Sequence, residues 1–177
     1  MAMDLEKKYK EEFKENYKKK GSNVMDTPRL LKIVINRGLG EATSNSKVIE
    51  VSFETLWRIS GQKPVLTKAK KSISNFKVRE GQILGCKVTL RRKKMYDFLT
   101  KLLHVSLPKI RDFRGVSARF DKQGNYTLGV KEDLIFPEVR VESLDKSRGF
   151  DVTFVTNCDS KEESKELLAF FGMPFRK

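Results

Sequence analysis

The chain has 177 residues, with 37 lysines and arginines against 23 aspartates and glutamates, and a formal net charge of +14. Its apolar fraction of 38%, with twelve phenylalanines, is typical of a folded protein and excludes a basic disordered tail. The apolar runs are too short to span a bilayer, and two cysteines without metal-ligand spacing exclude a disulfide framework and a zinc site.

The first predicted element is a charged helix over residues 1–20. Its apolar side chains are four residues apart and form one narrow stripe: Leu5, Tyr9, Phe13 and Tyr17. The segment lacks the apolar region of a signal peptide, and its five acids argue against a mitochondrial transit peptide. We therefore expect the chain to work in a reducing, cytoplasmic setting.

A strand is predicted over Leu30–Asn36, and a helix over Ser46–Ser60, with Ser44 or Asn45 as its cap and Gly61 at its end.

The turn over residues 36–40, between this strand and helix, lies where a dinucleotide-binding fingerprint would lie. That motif needs a third glycine to position a pyrophosphate, and Thr43 occupies its place. A tight turn is therefore favoured over nucleotide binding. A turn whose amides also contact an RNA phosphate remains an open alternative.

Two further strands are predicted over Lys63–Lys70 and Gln82–Arg92, since polar and apolar residues alternate in both. A protruding loop over residues 72–82 joins them. In the second strand, Cys86 and the apolar residues at two-residue spacing from it point one way, and Lys87 points the other way.

Residues 63–94, here called the basic segment, contain eleven lysines and arginines and a single acid, Glu80, and so carry a net charge of +10. A field this concentrated favours a polyanion, because each neutralised phosphate releases counterions. A charge run is usually only a solvated face, but the scarcity of acids and the interspersed Thr, Asn and Gln favour RNA. An anionic membrane is less favoured, because these cations lie in strands and not in an amphipathic helix.

Phe76 lies between basic residues in the loop. It could project and stack on a nucleotide, or it could pack into the core. The sequence pattern alone leaves both alternatives open.

Four further elements are predicted. A helix covers Lys93–Val105, a hairpin covers Val116–Val130, and a strand covers Phe150–Thr156. The last helix begins at the capping box Ser160–Glu163 and ends at Phe171. Helices and strands are interleaved, which predicts an α+β fold with helices packed on a largely antiparallel sheet, in a single compact domain.

No catalytic or metal site is predicted. His104 follows a leucine-rich helical face without a nucleophile motif, so a structural or helix-end role is favoured. Cys86 and Cys158 are expected to be small core residues. Four acids late in the chain are not spaced like a calcium loop, so we expect them to be solvated. They are Asp133, Glu138, Glu142 and Asp145.

The run over residues 56–72, LWRISGQKPVLTKAKKS, resembles the signature of the 5S-rRNA-binding ribosomal protein family, the fifth protein of the large subunit. Further blocks follow the family's order, namely NVM at 23–25, KIVIN at 32–36, RDFRGVS at 111–117, GNYTLGVKE at 124–132, IFPE at 135–138 and FGMPF at 171–175. The departures are Arg37-Gly38-Leu39, where the bacterial pattern often has Met-Gly-Val, and a lysine-rich first helix.

The resemblance implies a structural constituent of the large ribosomal subunit, without catalysis or cofactor, that supports translation in the cytoplasm. Such proteins attach 5S rRNA in the central protuberance, contact P-site tRNA and take part in an intersubunit bridge. The implied partners are 5S rRNA, large-subunit rRNA, P-site tRNA, small-subunit protein thirteen and neighbouring large-subunit proteins that bind 5S rRNA. Neither a membrane nor a homo-oligomer is expected.

Carried onto this chain, the resemblance implies three groups of site residues. The 5S rRNA face comprises Asn36, Gln62, Lys63, Thr67, Lys68, Lys70, Lys71, Lys87, Thr89, Arg91 and Arg92. The tRNA-facing loop comprises Ser74, Asn75, Phe76, Lys77 and Arg79, and its role favours exposure of the Phe76 ring. The bridge residues, within 109–115 and 134–148, are Arg111, Asp112, Arg114, Glu142 and Lys146.

Two other classes of protein are weighed against this one. An RNA chaperone or regulator outside the ribosome would show the same basic surface. An RNA-processing enzyme would need a carboxylate or histidine cluster beside that surface, and the scarcity of acids in the basic segment disfavours it.

Overall fold

A computed structural model describes residues 5–19, 24–43, 45–139, 146–158 and 160–176. The strands are β1 (Leu30–Gly38), β2 (Val65–Lys68), β3 (Ile83–Leu90), β4 (Tyr126–Val130) and β5 (Phe150–Thr156). They form one sheet in the order β2-β3-β1-β5-β4.

The longer helices of the described residues are α1 to α4. Helix α1 is α-helical at Leu5–Lys8 and Lys14–Lys19, with a π-helical stretch, Tyr9–Phe13, between them. The others are α2 (Lys47–Ser60), α3 (Arg92–Lys101, continued by the π-helical stretch Leu102–Ser106) and α4 (Lys161–Phe170). The predicted α+β fold is confirmed.

The described residues group into two compact units. The first takes its residues from 1–33, 91–128 and 153–177, and the second from 34–90 and 129–152. The prediction of one domain over the whole chain stays a prediction. No helix among the described residues is long and apolar enough to cross a membrane.

In the first unit, the apolar stripe of α1 is buried as predicted, except that Tyr17 is only half-buried. The Tyr9 hydroxyl donates to the Pro28 carbonyl at 2.8 Å, and the Phe13 ring lies 5.0 Å from that of Phe170 in α4. The serine half of the predicted capping box is also present, because the Ser160 hydroxyl accepts a hydrogen bond from the Glu163 amide at 3.2 Å.

The predicted hairpin over 116–130 is wrong in its first arm. Only β4 is a strand there, joined to the other arm by a single bridge between Phe120 and Tyr126. Val116 pairs in parallel with Phe175 instead, and its amide donates to the Pro174 carbonyl at 2.8 Å. The C-terminal segment thus satisfies the backbone groups that a hairpin partner would otherwise take.

The cysteines are both buried, as predicted. Burial raises the pKa of the Cys86 thiol to about 11, which keeps it protonated at neutral pH. His104 is exposed in the π-helical stretch after α3. Among the described residues, no group of three or more His, Cys, Asp or Glu side chains could hold a metal ion.

In the second unit, α2 packs on β3, and Leu56 and Ile59 of α2 are fully buried. Both predicted strands of the basic segment are shorter in the structure. Pairing of β2 with β3 shifts register between Thr67 and Lys68, so the ladder is irregular from that point onward. At the other end of β3, Arg92 already begins α3.

The prediction that Asp133 is solvated is wrong. Its side chain is 0% exposed and accepts a hydrogen bond from the Arg37 guanidinium at 3.0 Å, while Arg37 is 1% exposed. The Ser147 hydroxyl donates to the other Asp133 carboxylate oxygen at 3.1 Å, and the Phe150 ring lies 5.4 Å from the guanidinium carbon. Burial lowers the pKa of Arg37, and Asp133 opposes that effect. Glu138 is half-buried, whereas Glu142 and Asp145 lie outside the described residues, as does the suggested cap Ser44.

Substitution of Gly85 by alanine is expected to destabilise the second unit by about 1–3 kcal/mol, the usual cost of inserting a methyl group into a closely packed site. A Cβ atom there would lie 2.5 Å from the Arg37 carbonyl oxygen and 2.9 Å from the Thr67 hydroxyl, so the backbone must shift. Chemical denaturation would measure the loss. Gly129→Ala is the matched control, because its Cβ would meet Asp151 at an ordinary 3.6 Å. Equal stability of the two variants would contradict this account.

Candidate nucleic-acid interface

The antiparallel pairing of β2 and β3 produces one face that is open to solvent. Val65 lies opposite Lys87, and Thr67 lies opposite Gly85, and directly opposed residues share a face of the sheet. Lys87 is exposed and Val65 is 60% exposed, whereas Cys86 points the other way and is buried. The predicted outward orientation of Lys87 is therefore confirmed.

Five lysines of the predicted RNA face in the second unit are exposed, and their side chains make no hydrogen bond or ion pair within the described residues. They are Lys63, Lys68, Lys70, Lys71 and Lys87. Some other surface cations do have an ion-pair partner, as Arg58 has in Glu54 on α2. The five lysines therefore keep their full charge for a bound anion.

The polar residues of the predicted face differ in their availability. Asn36 is exposed on β1, and Thr67 and Thr89 are half-buried. The Gln62 side-chain amide donates to the Thr89 carbonyl at 3.0 Å, which ties the end of the α2–β2 connection to β3. The side-chain amide nitrogen of Gln62 thus already has a structural role.

Arg91 and Arg92 belong to the first unit, where they are exposed at the start of α3. Arg92 has a φ of 51°, in the left-handed region that a non-glycine residue seldom adopts.

The loop between β2 and β3 has its own backbone hydrogen bonds. Ile73 and Val78 exchange both amide–carbonyl bonds, at 2.9 and 3.1 Å, around a 3₁₀ turn, Ser74–Phe76. Lys77, with a φ of 52°, ends that turn. The tip of the loop is therefore held in one conformation by local pairing.

The base of the loop is closed in the same way. The Ala69 amide donates to the Gln82 carbonyl at 2.8 Å, and the Gly81 amide donates to the Ala69 carbonyl at 3.0 Å. The Ser72 hydroxyl accepts a hydrogen bond from the Glu80 amide at 2.9 Å. These bonds make the loop a short continuation of the β2–β3 ladder.

Phe76 is 71% exposed at the tip of the loop. The exposure that the resemblance favoured is confirmed, and the alternative of a core position is wrong. The other predicted tip residues are also exposed: Ser74, Asn75, Lys77 and Arg79.

The predicted bridge residues fall in different parts of the chain. Arg111, Asp112 and Arg114 are exposed in the first unit. Lys146 lies in the second unit, where it pairs with Glu41 at 2.9 Å, and Glu142 lies outside the described residues. The bridge surface stays a prediction.

Comparison with known sequences gives matches along most of the chain. Residues 23–79 match the family model described as ribosomal protein L5. Residues 83–175 match the model described as the ribosomal L5P family C-terminus. Together the two matches include all of β2 and β3, the loop between them except residues 80–82, and nearly all of the C-terminal half.

Curated relatives give the same result. The large ribosomal subunit protein uL5 of Clostridium botulinum (strain Eklund 17B) is 59% identical over 154 residues, which is 86% of each chain. The protein of that name from Clostridium acetobutylicum is likewise 59% identical over 154 residues, 86% of each chain. The one from Heliobacterium modesticaldum is 60% identical over 155 residues, 87% of this chain and 86% of its own.

Proposed function

This chain belongs to the ribosomal protein L5 family, and on that premise we propose that it binds 5S rRNA and attaches it in the central protuberance of the large ribosomal subunit. As a member of this family, it is a structural protein of the large subunit and not an enzyme. Its place is therefore the ribosome.

The observation that carries the proposal is the set of five exposed lysines of the second unit that have no ion-pair partner among the described residues, in a segment whose single acid is Glu80. Each lysine that meets a phosphate releases condensed counterions, which supplies affinity without reading sequence. Asn36, Thr67 and Thr89 then set the register through hydrogen bonds to phosphate and ribose oxygens. In this proposal, Arg91 and Arg92 of the first unit also contact the RNA backbone.

The proposal also includes the other partners of the family. The ordered loop meets P-site tRNA through the exposed Phe76 ring and the adjacent cations. Arg111, Asp112 and Arg114 contribute to the bridge with small-subunit protein thirteen, and Lys146 belongs to the same set. Large-subunit rRNA and neighbouring 5S-rRNA-binding proteins surround the assembled protein.

Direct binding of the purified protein to labelled 5S rRNA tests the proposal. We expect tight binding that survives an excess of bulk tRNA and weakens steeply with salt, since log K falls linearly with log salt concentration. Binding that any RNA displaces equally would instead indicate a general polyanion binder. Absence of the protein from sedimented large subunits would indicate an RNA chaperone outside the ribosome.

Substitution of Phe76 by alanine is expected to leave the stability of the protein nearly unchanged, because the residue is 71% exposed. The 5S rRNA affinity is expected to stay within about twofold of the wild-type value. The same change is expected to weaken P-site tRNA binding to ribosomes that carry the variant by about 1–3 kcal/mol, the value of one stacking contact. Filter binding of tRNA measures this effect. Trp57→Ala removes another exposed aromatic, on α2, and serves as the control. Equal tRNA affinity for both variants would remove Phe76 from the contact.

A further inference from the structure

A groove of about 710 Å³ lies beside the loop in the second unit. Its lining is mostly apolar, and the part formed by Gly38, Leu39, Gly40 and Leu84 is here called the floor. Lys70 and Lys71 also line it. The volume lies in the range of ordinary ligand-binding clefts.

The two glycines leave the floor of the groove open. A Cβ atom built on Gly38 or on Gly40 would meet no atom within 4 Å. Neither residue is among those with a positive φ, so neither glycine is required by its backbone conformation. The space beside these two positions is therefore open, and an added methyl group would displace no neighbouring atom.

The walls of the groove are held in place before any ligand binds. The Leu39 amide donates to the Leu84 carbonyl at 2.7 Å, and the Thr43 hydroxyl donates to the Gly40 carbonyl at 3.0 Å. On the other wall, Ile73 and Val78 are joined by their two backbone bonds. Such preorganisation reduces the entropy lost on binding.

The charge around the groove favours an anion that also has an apolar face. No acid lines the groove, and Lys70 and Lys71 are exposed and unpaired within the described residues. Glu41, which is close in sequence, is neutralised by Lys146 at 2.9 Å and Arg148 at 3.2 Å. An apolar peptide would not use the two lysines, whereas a nucleotide uses both features, with its base on the apolar floor and its phosphate on the cations.

We infer that this groove holds one unstacked base of the bound 5S rRNA against the floor formed by Gly38, Leu39, Gly40 and Leu84. The flanking phosphates of that nucleotide lie against Lys70 and Lys71. Phe76 contributes only the edge of the groove, since most of its ring is exposed, which agrees with the small effect expected for Phe76→Ala on 5S rRNA. The inference rests on the proposed function and extends it from phosphate contact to a base-binding pocket.

Adding methyl groups to the floor of the groove tests the inference. The double variant Gly38→Ala/Gly40→Ala is expected to weaken 5S rRNA binding by about tenfold, because the two added methyl groups occupy space that the base would take. The slope of log affinity against log salt concentration, here called the salt slope, is expected to be unchanged, because no charge is removed. Gly129→Ala is the control, and thermal unfolding checks that each variant is folded. A loss of affinity with a reduced salt slope would contradict a base-binding pocket and indicate lost phosphate contacts.

Crosslinking provides a second, independent readout on the wild-type protein. 5S rRNA that contains 4-thiouridine is expected to crosslink to the peptide that contains Leu39 or to the peptide that contains Leu84, as identified by mass spectrometry. Wild-type binding to 5S rRNA with no crosslink to either peptide, and with unchanged affinity of the double variant, would overturn the groove and leave the proposed function intact. Absence of any 5S rRNA binding by the wild type would overturn both. Crosslinking of these peptides to tRNA alone would also overturn the inference.

Discussion

Arg37→Met is expected to lower the free energy of unfolding by about 3–5 kcal/mol, the usual cost of leaving one partner of a buried ion pair alone. Arg37 and Asp133 are 1% and 0% exposed and are joined at 3.0 Å, so the variant leaves a carboxylate without its cation in the interior. Methionine is flexible and unbranched, and it fills much of the space of the arginine stem. The expected loss of stability therefore comes mainly from the unpaired charge and less from altered packing. Urea denaturation measures it.

The control for this effect is Arg58→Met, which breaks an exposed ion pair with Glu54 on α2. Exposed pairs contribute about 0–1 kcal/mol, so the control is expected to remain close to the wild type. The double variant Arg37→Met/Asp133→Asn is expected to recover much of the lost stability, because it removes the uncompensated charge. An Arg37→Met protein as stable as the control variant would show that the buried pair contributes little.

Replacement of Lys68, Lys70 and Lys71 by glutamine is expected to lower 5S rRNA affinity on the order of a hundredfold at about 0.15 M salt. All three side chains are exposed and unpaired within the described residues, so each has its full charge available for a phosphate. The salt slope is expected to fall by about one for each phosphate contact that is lost. Fluorescence titration of labelled 5S rRNA at several salt concentrations measures both quantities.

A second variant, with three lysines replaced in another part of the chain, distinguishes the effect of local RNA contacts from the effect of net charge. Lys122, Lys161 and Lys165 are exposed in the part of the chain from residue 120 onward, where acids outnumber basic residues. Their replacement by glutamine changes the net charge equally and is expected to alter the affinity by no more than a few-fold. An equal loss for both triple variants would show that only the overall charge of the protein attracts the RNA.

Local patterns were sufficient for much of the fold. Ser160 caps the start of α4 as predicted, and the strand over Phe150–Thr156 agrees with the prediction at both ends. Both depend on residues within a few positions of one another. The predicted hairpin after Val116 was wrong because its backbone partner is Phe175, which lies far along the chain.

The buried pair is the feature of the fold that sequence analysis missed. Ile33, Ile35 and Arg37 alternate along β1, and that period of two was a signal that Arg37 lies on the buried face. Nothing near Asp133 in sequence reveals its burial, because its cation lies 96 residues away. A buried charge is tolerated only beside such a partner, and the chain brings the two together only in its folded state.

For the candidate site, the sequence by itself determined where the charge is concentrated and that an aromatic lies in the loop, because both are properties of neighbouring residues in one segment. Only the tertiary structure decided that Val65 and Lys87 share an open face and that glycines of one segment form the floor of a groove beside lysines of another. The physical reason is that side-chain alternation is local, whereas strand register and cavities depend on contacts between segments that are distant in sequence.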